Sequence, residues 1–239
     1  GINNVAIGVA ALNASVDQGG NTAVGSYSLS NSLSWGSTAV GTHSLRANTT
    51  GNANTAIGTY SIYQNTTGNG NTGLGNYVLS ENTTGSNNTA SGNQSLKLNT
   101  TGSGNTAYGS NSLLTNTTGS NNTALGNYAD VATANLSNAT AIGNGAIVAT
   151  SNTVQLGNSS VTDVKTNGSV TASGFKVPNG TGAQYLMANG TVSTSVTSGI
   201  PYTGATQATN LGAYDLTVNG LTVGLGAGQV QTNVLVGSV

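Results

Sequence analysis

Apolar positions in this chain recur every 17 residues. A block reading Asn-Thr-Ala-apolar-Gly begins at Asn4, Asn21, Ser37, Asn54, Asn71, Asn88, Asn105, Asn122 and Ala139, at spacings of 17, 16 and then six times 17. The block closes on Gly in all nine copies, and its second residue is Thr in eight, with Val5 in the first. A second apolar mark follows eight residues after each start: Leu12, Leu29, Leu45, Ile62, Leu79, Leu96 and Leu113, then Asp130 and Ile147. In five copies the stretch before the next block contains Asn-Thr-Thr-Gly: Asn48–Gly51, Asn65–Gly68, Asn82–Gly85, Asn99–Gly102 and Asn116–Gly119.

A fixed period of this length is the mark of a stacked repeat. Each repeat reads as one coil with two short strands. Thr-Ala-apolar alternates across a strand, and Gly supplies a turn of positive φ or a close backbone approach. Ser-Leu forms the second strand, with Leu inward and Val131 replacing Asp130 through a local bulge. Asn-Thr-Thr-Gly returns the chain. A helix is excluded because Gly, Thr and Asn recur too densely. Stacking sets equivalent residues about 4.8 Å apart, so that Asn lies over Asn and Thr over Thr. Val24, Val40, Ile57, Leu74 and Leu125 are then expected to line a narrow interior. One coil buries too little by itself, so neighbours supply its core. Nine coils make a rod roughly 40 Å long. So thin a solenoid favours a homo-oligomer that covers one face of each chain.

The pentads, as in Asn54-Thr55-Ala56-Ile57-Gly58, resemble the head repeats of YadA-like trimeric autotransporter adhesins. The resemblance covers residues 1–157 and implies an all-β, left-handed parallel β-roll (a solenoid of 17-residue coils) in an intertwined homotrimer. The family's usual repeat is shorter, and the longer form with Asn-Thr-Thr-Gly also resembles repeats of phage tail fibres. Three regions follow: a β-roll shaft or head over 1–157, a neck or linker over 158–199, and a small β module over 200–239 leading into a further repeat block. In the neck, Val161, Val164, Val170 and Phe175 alternate ahead of Pro178-Asn179-Gly180. Thr171–Lys176 and Gly182–Leu186 resemble tail-fibre linker modules, as do Pro201–Thr206 and Asn210–Tyr214. Asn219-Gly220 suits a hairpin turn, and Asn233–Gly237 repeats the pentad pattern. With Gly1 first and no signal peptide, the expectation is a segment of a longer fibre.

Composition narrows the function. Charged residues are 4% of the 239, with net charge −1, so no basic patch for nucleic acid is available. No apolar run approaches the roughly 20 residues that span a bilayer. Such sparse charge and two prolines also argue against disorder. Asp17, Glu81, Asp130, Asp163 and Asp215 are scattered over different modules, which offers no local carboxylate pair. His43 is the single histidine and cysteine is absent, leaving neither a zinc ligand set nor a histidine-based triad. His43 reads as a surface residue on a coil. The recurring Asn and Thr, rather than Asp, speak against structural calcium. No catalytic, metal or cofactor site is expected, and the chain is not expected to be an enzyme. The sequons at Asn48, Asn65, Asn82, Asn99 and Asn116 coincide with the repeated turn and read as turn chemistry.

Tyr27, Tyr60 and Tyr77 share one register position, six after the pentad start. They offer lateral packing between subunits, the favoured reading, or glycan and receptor contact by ring faces. The expected function is a structural and adhesive extracellular fibre segment of a phage tail fibre or similar trimeric shaft. The alternative is a bacterial surface adhesin head or an extracellular filament subunit. Partners are then further copies of the chain, as a homotrimer and end to end, and a host cell-surface glycan. Two rivals remain: an ice-binding solenoid, prompted by the column Thr50, Thr67, Thr84, Thr101 and Thr118, and a tail-associated depolymerase.

Overall fold

The structure, a computed structural model, describes residues 1–14 and 18–167 together with the strands Tyr185–Leu186 and Val192–Ser193. The described residues are all-β and contain no helix. Each pentad forms one three-residue strand: β1 (Val5–Ile7), β2 (Thr22–Val24), β3 (Thr38–Val40), β4 (Thr55–Ile57), β5 (Thr72–Leu74), β6 (Thr89–Ser91), β7 (Thr106–Tyr108) and β8 (Thr123–Leu125). β9 (Asp130–Val131), β10 (Thr140–Ile142), β11 (Ile147–Val148) and β12 (Val154–Leu156) complete the stack. Ten of these strands make one parallel sheet in the order β1-β2-β3-β4-β5-β6-β7-β8-β10-β12. Register is strict, with Thr22 over Thr38, Ala23 over Ala39 and Val24 over Val40, and so on up the stack. The protein is therefore a parallel β-solenoid whose coils are 17 residues long, except for one of 16 and a last one of 14 between Thr140 and Val154.

The core is thinner than the sequence suggests. Within Thr-Ala-apolar the middle residue alone faces inward: Ala23, Ala39, Ala56, Ala90, Ala107 and Ala124 are buried. Because alternation puts residues i and i+2 on one face, Thr and the apolar residue both point outward. Val24 and Val40 are half-buried, while Ile57, Leu74 and Leu125 are 44%, 39% and 50% exposed. The expectation that these five line the interior is thus overturned.

The expected second strand is also overturned in the first seven coils. The Ser-Leu segment there is a turn in which the residues at pentad positions +6 and +8 have positive φ, as in Tyr60 (φ 55°) and Ile62 (φ 49°). That left-handed step rotates the +8 side chain back into the core, so Leu29, Leu45, Ile62, Leu79, Leu96 and Leu113 are all buried. The turn segments still pair rung to rung, as where Leu45 N–H donates to the Ser61 carbonyl at 3.0 Å. In the last two full coils the +8 residue has no left-handed φ, and the chain runs on extended as β9 and β11, which pair in parallel. Ordinary alternation then applies. Ala129 and Val131 point in with Asp130 between them, which bears out the Val131 substitution. Ala146 and Val148 likewise point in, while Ile147, expected inside, is 55% exposed.

Two buried asparagine ladders run up the stack. In the turns, Asn65, Asn82, Asn99 and Asn116 each donate Nδ2 to the Oδ1 of the asparagine one coil earlier, at 2.6–2.9 Å. The same Nδ2 closes its own turn on a glycine carbonyl, as from Asn65 to Gly68 at 2.9 Å. At the pentad start, the backbone N–H of Asn71 donates to Asn54 Oδ1 at 2.9 Å, and Asn88, Asn105 and Asn122 repeat the bond. Ser32 of the 16-residue coil accepts from Asn48 Nδ2, and Ser37, which opens the next coil, accepts from Asn54 N–H, so serines carry both ladders past Trp35. Burying so many amides is tolerable because their polar atoms are paired. The sequon asparagines Asn48, Asn65, Asn82, Asn99 and Asn116 are fully buried, so the nitrogen that glycosylation would modify is inside the fold.

The chain divides into two units, Gly1–Lys165 and Thr166–Val239. In the second, β13 (Tyr185–Leu186) pairs antiparallel with β14 (Val192–Ser193). The readings placed on Asp17, Val170, Phe175, Pro178–Gly180, the 200–239 module, Asn219-Gly220 and Asn233–Gly237 lie outside the described residues.

Candidate functional site

Position +6 of the coil stands at a left-handed turn, where its side chain projects from the solenoid. Register then stacks successive +6 residues about one rung apart. Tyr27, His43, Tyr60 and Tyr77 occupy this column in four consecutive coils and form one continuous ladder. Ring centroids are 5.3 Å apart for Tyr27–His43, 5.0 Å for His43–Tyr60 and 5.0 Å for Tyr60–Tyr77, with interplanar angles of 19°, 28° and 6°. These separations match the rung spacing and the range in which aromatic rings attract. The three tyrosines singled out from sequence are therefore brought together, with His43 joining Tyr27 to Tyr60.

Cations and a fifth ring border the ladder. Tyr63 meets Tyr60 edge-on at 5.2 Å. The Arg46 guanidinium donates to the Tyr63 hydroxyl at 3.1 Å and lies 5.5 Å from the Tyr27 ring. Lys97 Nζ sits 5.9 Å from the Tyr77 ring, within cation–π range. Both faces of Tyr60 are occupied by ladder neighbours, so its free surface is its edge and hydroxyl. Ring-face contact with a glycan, as read from sequence, is consequently closed at Tyr60.

Beside the ladder the surface opens into a shallow cleft of about 310 Å³, the low end of ligand-pocket sizes. Coil four supplies Tyr60, Tyr63 and Gln64, the next coil Tyr77, Ser80 and Glu81, and the one above it Lys97. Periodicity alone finds only three of the tyrosines. His43 escapes because it is the wrong residue type in the right column. Tyr63, Ser80 and Lys97 share position +9, and Gln64 and Glu81 share +10; laid out in columns, the sequence does show them side by side.

The other titratable groups stand apart. Among the described residues no three His, Cys, Asp or Glu side chains are grouped as metal ligands would be. Asp130 accepts from the Thr115 N–H at 3.0 Å and from its neighbour Val131 at 2.8 Å. Burial nonetheless holds its carboxyl above the usual carboxylate range. Tyr128 repeats position +6, but Gln94 and Asn111 separate it from Tyr77, so the ladder ends there. No helix among the described residues is long and apolar enough to cross a membrane. Compared with protein-family models and with curated proteins, the chain matches none.

Proposed function

We propose that this protein is a non-catalytic, structural and adhesive fibre segment that works outside the cell as a homotrimeric shaft. The observation that carries the reading is the outer face of the ten-stranded sheet. Ile57, Leu74, Leu125 and Ile142 stand exposed there in one in-register column, with a second column of threonines beside it. Tyr108 continues the column between Leu74 and Leu125 and Ser91 is its one polar break, and a largely apolar column of this kind is a surface for lateral association. The occupant that fits is a second copy of the same chain, because a parallel copy repeats the same rung spacing and meets the stripe rung for rung. Two neighbours per chain give the closed trimer that the pentads' resemblance to adhesin heads and tail-fibre repeats suggests.

Within that reading a phage tail fibre is preferred, on the 17-residue coil with its Asn-Thr-Thr-Gly turn. A bacterial adhesin head is the second reading, favoured by the pentad itself. Sedimentation equilibrium tests the assembly: a trimer is expected, and Ile57→Lys with Leu125→Lys is expected to yield monomers. A native chain that stays monomeric at high concentration would remove the basis for the shaft.

A further inference from the structure

We propose that the cleft beside the aromatic ladder is a binding site for a neutral, polyhydroxylated sugar ring. The inference is independent of the shaft reading, since the cleft uses coil positions +6, +9 and +10 and the outer sheet face uses the second and fourth residues of the pentad.

The first support is that the fold does not require these side chains. Position +6 is filled by Ala10, Asn111 and Gly145 in other coils, position +9 by Asn13, and position +10 by Ala47 and Thr115, and those coils stack in the same register. Moreover, +6 is a left-handed position, with φ 55° at Tyr60 and 54° at Tyr77, where Asn and Gly are the natural occupants. The left-handed turn recurs in every coil, at Ala10, Gln94 and Asn111 as well, so it presents the +6 side chain outward without selecting a tyrosine. A second support is the placement of charge. Arg46, Glu81 and Lys97 are three of the six charged side chains among the described residues, the others being Asp130, Asp163 and Lys165, in a chain that is 4% charged. All three lie on this one face.

The chemistry of the walls selects the ligand. Glu81 accepts hydrogen bonds, Lys97 donates them, and Gln64 and the tyrosine hydroxyls do both. Glu81 and Lys97 cancel in charge, and Arg46 is engaged by Tyr63 and Tyr27. A neutral ligand with alternating donors and acceptors matches this set, whereas an anion would meet Glu81. The tyrosine edges supply the apolar patch against which the C–H groups of a sugar pack. Three rungs span about 10 Å, enough to seat one sugar ring with its hydroxyls, and binding is expected to be weak per site and strengthened by repetition of the fibre.

The test is saturation-transfer NMR on the whole chain. The probes are glucose, galactose and N-acetylglucosamine at about 10 mM, tenfold above a Kd of about 1 mM, with glucuronic acid as the acidic probe. At least one neutral sugar is expected to receive saturation, and Tyr63→Ala and Glu81→Gln are each expected to weaken binding about tenfold or more, as loss of a hydrogen-bonding partner does. Tyr128→Ala, in the same column but outside the cleft, should leave it unchanged. Melting curves check folding, and Glu81→Gln, a half-exposed isosteric change, keeps the test open should Tyr63→Ala not fold. No transfer to any neutral sugar, a titrated Kd left unchanged by Glu81→Gln, or transfer to glucuronic acid alone would each overturn the proposal.

Discussion

At the residue scale, the asparagines of the turn ladder are the most committed side chains. Asn99 donates to Asn82 Oδ1 and the Gly102 carbonyl and accepts from Asn116 Nδ2, all while buried. Asn99→Ala strands Asn82 Oδ1 without its donor and takes an acceptor from Asn116. A loss of about 2–4 kcal/mol is expected in urea unfolding, given about 1–3 kcal/mol per unsatisfied buried group. Asp130 makes the opposite prediction. Burial raises its carboxyl above the usual 3.8, against the lowering effect of the Thr115 and Val131 donors. A raised folded value means that folding favours the protonated form. The stabilisation is complete in acid below the unfolded value and is lost as pH rises through the folded one. Asp130→Asn should therefore stabilise the protein at neutral pH and flatten the acid end of its pH profile, as measured by urea melts from acid to neutral. A variant with the native slope would show that the dependence lies elsewhere.

At the scale of the coil, departures from the repeat come in compensating sets. The fifth coil carries Gly73 where the others have Ala, and the coil beneath it carries Ile62 where the other six of the first seven coils have Leu. A Cβ built on Gly73 would lie 2.9 Å from Ile62 Cγ1 and 2.8 Å from Ser61 Oγ, so the missing methyl makes room for the branched one. Gly73→Ala alone is expected to cost about 1–3 kcal/mol by overpacking. In an Ile62→Leu background the cost should shrink, and a double-mutant cycle measures the coupling. Additive effects would mean that Ser61 sets the constraint. The glycine that closes each pentad is less forgiving. At Gly92, φ is 127° and a Cβ would meet the carbonyl of Gly109 at 2.5 Å, so backbone crowds backbone at every rung. This is why Gly ends all nine blocks, and it was legible from the sequence. The turn at Ser-Leu was not. A left-handed Leu has no compositional mark, since its conformation is imposed by the bonds that each turn makes to the next coil.

At the scale of the whole solenoid, the ten-stranded sheet has a dry inner face of alanine and an outer face of threonine and aliphatic residues. Lysine at positions 57 and 125 should dissociate the proposed trimer without unfolding its chains, because both side chains already face outward. Far-UV circular dichroism of the monomeric variant is expected to match the native spectrum. Loss of β signal together with trimer mass would instead mean that chain and assembly fold as one unit, as in obligate oligomers.

The period, the ladders of Asn over Asn, the glycine column and the parallel stack follow from sequence alone, because each depends on like residues meeting like at a fixed spacing; that the asparagines are buried was decided by the fold. Which face of Thr-Ala-apolar is interior does not follow from sequence either. An alanine core and an aliphatic core share one alternation, and only the left-handed turn opposite, which returns a leucine to the axis, leaves no room for anything larger than alanine. The aromatic ladder has the same origin. Tyr27, Tyr60 and Tyr77 share a register in the sequence, but His43 and the neighbouring Tyr63, Glu81 and Lys97 become one surface only when adjacent columns are brought side by side by the turn.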